Sequence, residues 1–503
     1  MLRKLFTNSL AEIALQVLNI VVVFVMTPII VRSLGNYDYG IWEIVMSVIG
    51  YMGLLQFGIP PAIVRYVARY NALNEKDRLD EIYSSCFIII LLTGLLCAFL
   101  IFLWTMFFSD TLAGNQGGEQ KYTIFLLILS VNVLIMFPNI FVQSFHEGFQ
   151  RYRLTRFITA FKIIFSNMVA YILLSKGYGL LTFALIHTVS LFLKFLVSWM
   201  LLMTPAFGRF RLKAGHIKKD ALRELYTFGA KSFALGVAGR INFQTDSIVI
   251  GVFLNPAIVT FYIIPVNLLN KLKTLGMSMT LVFMPHFSEL FAKESDMERF
   301  KSEFLFYSRY IVGVFLGLFM GVFFLGLPFI SIWIGPEFAE KGKFVFYIIG
   351  FSFLLPFLNP LHGRTLTGMG MHGALAKLRV FEALMNLSLS IVLVNVYGKE
   401  GVALGTLLPA LVVEPLILQV VSKRIGVSSL VYLKSVLLPQ VLPVFGVAAI
   451  YFYLTKFIMA SSYWNIIQIG ISSSLIYFIC FWGLVMSRDE RHLIIKKLGI
   501  ISP

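Results

Sequence analysis

A chain of 503 residues that is 58% hydrophobic and only 13% charged carries about half the charge of an ordinary soluble domain, for which about 25% is typical. This excludes a soluble enzyme or adaptor and points to an all-α polytopic membrane protein, since lipid admits only structures that satisfy their own backbone. The net charge of +17 would suit a nucleic-acid partner if the basic residues formed one patch, but their distribution along the chain excludes that.

The start, "MLRKLFTNSLAEIALQVLNIVVVFVMTPIIV", has the basic flank of a signal peptide. Its apolar run is too long and no small-residue cleavage site follows, so it reads as the first span. Taking about 20 mostly apolar residues per crossing, the chain yields about 14 segments. In order they are 10–32, 41–64, 84–108, 122–145, 157–175, 179–203, 228–254, 257–285, 306–334, 344–368, 377–397, 400–422, 436–456 and 464–487. Segments seven and eight are the most polar. Cys86, Cys97 and Cys480 all lie in apolar runs with no metal-ligand spacing and read as small buried hydrophobes.

With the N-terminus inside, 27 of the 42 lysines and arginines fall in inside connections and 6 in outside ones. The richest inside stretch runs from Arg209 to Arg223; Arg379 is counted there too, beyond segment ten. The asymmetry follows the positive-inside bias and supports an even number of crossings with both termini cytoplasmic. The outside connections are short, the longest being "SDTLAGNQGGEQK", which leaves no external domain to house an active site.

Weak self-similarity recurs at offsets near 220 residues. "FPNIFVQSFHEGF" lies on "FLNPLHGRTLTGM", "KGYGLLTFAL" on "GKEGVALGTL", and "FGIPPAIVRYVARY" on "VFMPHFSELFAKE". An offset of six spans implies parallel repeats, one of the recurring plans of secondary transporters. The expected organisation is a six-helix lobe over 1–205, a basic linker over 206–227, a second six-helix lobe over 228–423, and two further helices with a basic tail over 424–503.

Several ionisable residues fall inside spans, where a charge near the bilayer centre costs at least about 2.5–3.5 kcal/mol. Arg240 sits near the middle of segment seven and Asp246 in its outer third, about 120° apart around the helix. Segment eight adds Lys271 and Lys273, and Glu414 lies near mid-depth in segment twelve, just before Pro415. Lys194 is also near mid-depth. Arg32, Glu43, Lys162, Lys231, Arg364 and Glu382 are shallower and can snorkel. Two readings stand: salt bridges between spans, such as Asp246 with a lysine of segment eight, or a water-filled cavity lined mainly by cations. Nine basic against five acidic residues in or near the spans favours the cavity and an anionic cargo.

"GMGMHG" (Gly368–Gly373) fits a nucleotide-binding glycine pattern, but no strand precedes it. There is no Walker lysine, nucleophile elbow or metal-binding histidine spacing, so ATP-driven transport within this chain is not expected.

The stretches "SLGNYDYGIW" and "GLLQFGIPPAIVRYVA", with "QTDSIVIGVFLNPAIVTFYIIP" in the second half, resemble the polysaccharide transporter family, the Wzx-type lipid-linked oligosaccharide flippases. Their superfamily also holds the MATE drug exporters. The resemblance implies two pseudo-symmetric six-helix lobes around a central cavity plus two C-terminal helices. It also implies alternating-access export of a polyprenyl-pyrophosphate-linked, anionic oligosaccharide for O-antigen, capsule or exopolysaccharide. Membrane lipids and polysaccharide polymerase or assembly proteins would be the partners, with no cofactor beyond a coupling H+ or Na+. On that reading Arg240, Lys271 and Lys273 are the substrate-binding cations, and Asp246 and Glu414 are ion-coupling or structural candidates. Gly35 and Gly40 permit a tight turn, and Pro60 and Pro61 can break or kink segment two as a gating bend. A MATE-like antiporter would instead need an acidic, aromatic cavity, and a membrane glycosyltransferase or polymerase would need large external loops.

Overall fold

The computed structural model describes residues 2–113, 118–204, 244–281, 283–292, 297–457, 461–488 and 490–491. Among them every long element is a helix and there is no strand. Nine helices are long and apolar enough to cross a membrane, or ten if one bent pair counts as a span. Two of the nine are hairpins that each hold two expected crossings. With these opened out and the bent pair counted, the described residues give twelve of the expected crossings; segment eight is the polar helix that starts at Pro256, and most of segment seven lies outside the described residues. The expected linker 206–227 and Arg240 lie outside the described residues.

The chain divides into two compact units, Met1–Thr260 and Phe261–Pro503. In the first, α1 (Leu2–Met52) covers expected segment one and most of segment two, bent at Gly35, whose φ of 76° only glycine adopts without strain. The rest of segment two breaks: a 3-10 turn, Gly53–Gln56, is followed by left-handed Phe57 and Gly58. Helix α2 (Ile59–Ala72) then starts with Pro60 and Pro61 in its first turn. There a missing amide N–H costs little, so the prolines begin a new helix rather than kink a continuous one.

Helices α3 (Lys76–Ala113), α4 (Glu119–Gly148), α5 (Tyr152–Ser175) and α6 (Leu180–Leu202) complete the bundle. Their core is aromatic. Tyr83 of α3 meets Phe145 of α4 edge-on at 5.2 Å, Phe141 lies 4.8 Å from Phe145, and Trp199 of α6 lies 5.3 Å from Phe87. Lipid tails are as apolar as these rings, so their contribution comes from dense, directional packing rather than from exclusion of water. The unit ends with α7, whose described helical residues are 244–253, and the start of α8 (Pro256–Met279).

The second unit contains the rest of α8, then α9 (Phe283–Ala292), α10 (Met297–Trp333), α11 (Pro336–Lys341) and α12 (Lys343–Leu354). After α13 (His362–Gly368) comes α14 (His372–Ile425), a hairpin broken at Gly398 that holds expected segments eleven and twelve. Short α15 (Ser429–Tyr432), α16 (Leu438–Phe457) and α17 (Tyr463–Cys480) follow. Expected segment ten is two pieces, α12 and α13, bent by 42°, with Pro356 and Pro360 at the break. Segment eight breaks between α8 and α9, and Pro285 falls in the first turn of α9. The aligned stretches of the two halves therefore share a break just before their prolines, a structural counterpart to the internal repeat.

Helix α10 carries a glycine every fourth residue, at Gly313, Gly317 and Gly321, which forms one stripe along a helix face. A Cβ at Gly317 would lie 2.8 Å from the Tyr477 ring, and one at Gly313 would strike Phe481. The Tyr477 hydroxyl donates to the Gly313 carbonyl at 2.7 Å. The last two membrane helices are thus seated on α10 by small residues that admit aromatic ones.

Candidate functional site

In the first unit, the second half of α1 packs on α7 and the start of α8 with little clearance. A Cβ on Gly40 would overlap the Pro256 carbonyl, and one on Gly251 would overlap Ile44. A Cβ on Gly50 would lie 2.7 Å from the Gln244 side chain. Thr260 Oγ1 donates to the Asn36 carbonyl at 2.7 Å, and the Tyr51 and Thr245 hydroxyls share a hydrogen bond. Asp246 and Ser247 are buried here, with the Asp246 charge felt at Tyr51. The described polar face of segment seven therefore meets α1. Sequence reasoning had set that face toward water and cargo.

A second polar array crosses the interior of the same unit. Lys194 Nζ donates to Gln143 Oε1 at 3.2 Å, and Gln143 Nε2 donates to Glu147 Oε1 at 3.0 Å. Arg156 Nη1 donates to Glu147 at 2.9 Å, and its Nε binds Glu12. Lys162, half-buried one helix over, has its charge felt at both Lys194 and His187. His187 in turn lies 3.1 Å from the Asn132 amide and edge-on to Trp42. Among the described residues no carboxylate pairs with Lys162 or Lys194. From the sequence Lys162 reads as a shallow group able to snorkel and Lys194 as a mid-depth charge.

The second unit holds a buried ion network. Arg379 Nη1 lies 2.7 Å from Glu382 and 2.7 Å from Glu414, and His362 Nε2 lies 3.5 Å from the other Glu414 oxygen. Lys273 sits over the Phe353 ring at 4.2 Å and feels the charges of Arg379, Glu382 and Glu414. Two expectations change. Glu382, read as an interfacial group, is buried and paired, and Arg379, counted as a loop cation, lies inside a helix and holds the network together. Glu414 accepts from Arg379 through Oε1 at 2.7 Å.

Lys271 is half-buried and has no ion-pair or hydrogen-bond partner among the described residues. Two positions apart on α8, Lys271 and Lys273 point about 160° apart, so one ligand group does not meet both. Arg364 of α13 donates to Thr280 Oγ1 at 3.2 Å.

The residues missed from the sequence, Gln143 and Glu147, carry a readable signal: they are spaced i,i+4 on α4, so they share a face. Nothing in the sequence indicated that this face would meet Lys194.

The model of the family described as "Polysaccharide biosynthesis protein" matches residues 5–291. The "Uncharacterized membrane protein EpsK" of Bacillus subtilis is 21% identical over 98% of both chains. Two solved structures share the fold. The "Lipid II flippase MurJ, inward closed conformation" is 14% identical, covers 96% of this chain and 100% of its own, and has a TM-score of 0.67. An inward-facing "multidrug resistance MATE family transporter of the MOP superfamily" is also 14% identical, covers 79% and 93%, and has a TM-score of 0.66.

Proposed function

The chain belongs to the polysaccharide biosynthesis protein family, a polysaccharide transporter line with the fold of the MOP superfamily, and from that premise we propose that it flips a polyprenyl-pyrophosphate-linked oligosaccharide. It carries this cargo from the inner to the outer leaflet of the bacterial cytoplasmic membrane, with both termini inside. It makes and breaks no covalent bond in the cargo.

One observation carries the proposal: Lys162 and Lys194 in the first unit, and separately Lys271 in the second, lie in membrane helices with no carboxylate partner among the described residues. An ammonium in that position is stable only where water or an anion reaches it. Pyrophosphate supplies the missing charge through strong, charge-assisted hydrogen bonds. Glu382 and Glu414, the carboxylates within the α14 hairpin's ion network, are held by Arg379, so they offer little to a cationic drug. That favours an anionic cargo over a MATE-like one.

The seam of α1 against α7 and α8 forms the outer closure in this reading. Its contacts begin at the Gly35 turn with Asn36 and Gly40 and run along α1 to Tyr51; the turn lies on the outside by the distribution of basic residues. Coupling to H+ or Na+ falls to Asp246, because Glu414 is occupied. Polymerase or assembly proteins receive the cargo.

The test is a set of single Lys→Gln substitutions at positions 162, 194 and 271 in the producing cell. Loss of surface polysaccharide with normal protein level and unchanged tolerance to cationic drugs supports the flippase reading. Loss of drug tolerance with intact polysaccharide overturns it.

A further inference from the structure

A groove of about 710 Å³ runs between the start of α1 and the start of α5, within the range of ligand pockets, about 300–1,000 Å³. It exists because of residue size. Ala11 and Ala14 on α1 face Ala160 on α5, and three alanines leave a trough where leucines would have closed the helices together. Its walls are apolar, with Leu15 and Leu18 on one side and Leu154 and Phe157 on the other. Phe157 is 72% exposed. Along α5 the lining residues run from Arg153 to Ala160, about 10 Å at the helical rise, with Gln150 and Arg151 just before the helix.

The mouth has a different chemistry. Arg151, Arg153 and Arg156 line it, and among the described residues no carboxylate does. Arg156 is engaged by Glu12 and Glu147 behind the wall. Arg151 and Arg153 are exposed at the rim, next to the start of α5, where the helix dipole adds positive potential. An apolar trough ending in arginines matches an amphiphile with a phosphate head and a hydrocarbon tail. Basic pockets between membrane helices on the positive side of a protein select anionic head groups.

We propose that this groove binds an anionic phospholipid of the surrounding bilayer, such as phosphatidylglycerol. Its phosphate lies at Arg151 and Arg153, and one acyl chain lies along the alanine trough. Glu12 and Glu147 are both engaged with Arg156, so the phosphate meets the two exposed arginines of the rim. Arg156 connects the groove through Glu147 and Gln143 to Lys194, but the lipid is placed on Arg151 and Arg153, and the proposal does not depend on the flippase reading.

The test is native mass spectrometry of the full-length protein titrated with phosphatidylglycerol or with phosphatidylcholine of the same chains. The wild type is expected to retain phosphatidylglycerol at least about fivefold more than phosphatidylcholine. The double substitution R151Q/R153Q should remove that preference, and A14W, which fills the trough, should reduce retention of both lipids. If A14W does not fold, a benzophenone amino acid at Phe157 reports the same contact by photocrosslinking to the bound lipid. Equal retention of the two lipids by the wild type, or undiminished phosphatidylglycerol binding in R151Q/R153Q, overturns the proposal. Displacement of phosphatidylglycerol by equimolar polyprenyl pyrophosphate would reassign the groove to the cargo. The two phospholipid titrations contain no cargo, so their failure leaves the transport assay untouched, and the reverse holds too.

Discussion

Arg379 and Glu414, 35 positions apart, meet inside the α14 hairpin with Nη1 2.7 Å from Oε1. Glu382 is bound to the same nitrogen at 2.7 Å. Removing one member of a buried pair strands the other charge, at a cost on the order of 3 kcal/mol. R379M should therefore lower the thermal unfolding temperature in detergent markedly. Adding E382Q and E414Q to R379M should restore much of it, because the stranded carboxylates are gone. Equal loss in the single and triple variants would mean that Arg379 acts through packing alone.

The closure of α1 on α7 predicts a trappable contact. In a background lacking Cys86, Cys97 and Cys480, cysteines at Tyr51 and Thr245 should crosslink under oxidation and arrest transport reversibly. Transport that continues through the crosslinked protein would show that this seam does not open.

On α10, the close approach of Gly317 to Tyr477 at 2.8 Å for an added Cβ leaves no room for a side chain. G317L should destabilise the protein by about 1–3 kcal/mol, as overpacking does. It should also raise proteolysis near α17 before the first unit is cut. Limited proteolysis followed by mass spectrometry distinguishes this from global unfolding.

Glu490 lies beyond the last span and is bound by Arg309 and by the Ser487 amide, the latter at 2.7 Å. Burial alone would raise its carboxyl pKa, but the Ser487 amide, Arg309 and Tyr310 outweigh it and hold the group below the usual carboxylate range. A depressed carboxylate stabilises the fold above its unfolded pKa, and the contribution is lost as pH falls through the folded one. Hydrogen exchange at residues 487–491 should accelerate below about pH 4.5, and E490Q should show the faster rate at neutral pH.

The architecture was readable because a span announces itself in about 20 apolar residues and the loops carry their own charge code. Gly35 was legible for the same local reason: a turn residue between two apolar runs. The breaks in segments two, eight and ten were only half visible. Proline marks a break, but whether it kinks a helix or starts a new one depends on the residues before it, as Phe57 and Gly58 show. The candidate site was less legible. A charge in a span is conspicuous, but its partner is set by packing across helices. Glu382 and Lys162 have similar depth in the sequence, and only the fold gives one of them an arginine. Lys271 and Lys273 look like one site until the helical period separates them.

The most direct test is reconstituted flipping. Proteoliposomes containing the wild type or the K162Q/K194Q variant are loaded with a fluorescent polyprenyl-pyrophosphate oligosaccharide, and its arrival at the opposite leaflet is followed by quenching. The variant should slow the protein-dependent rate at least about tenfold, a loss of about 1.4 kcal/mol in transition-state stabilisation, while its folding stays intact. An unchanged rate in that variant, or wild-type movement of a cationic amphiphile in place of the glycolipid, would contradict the assignment of these lysines to a phosphate-bearing cargo.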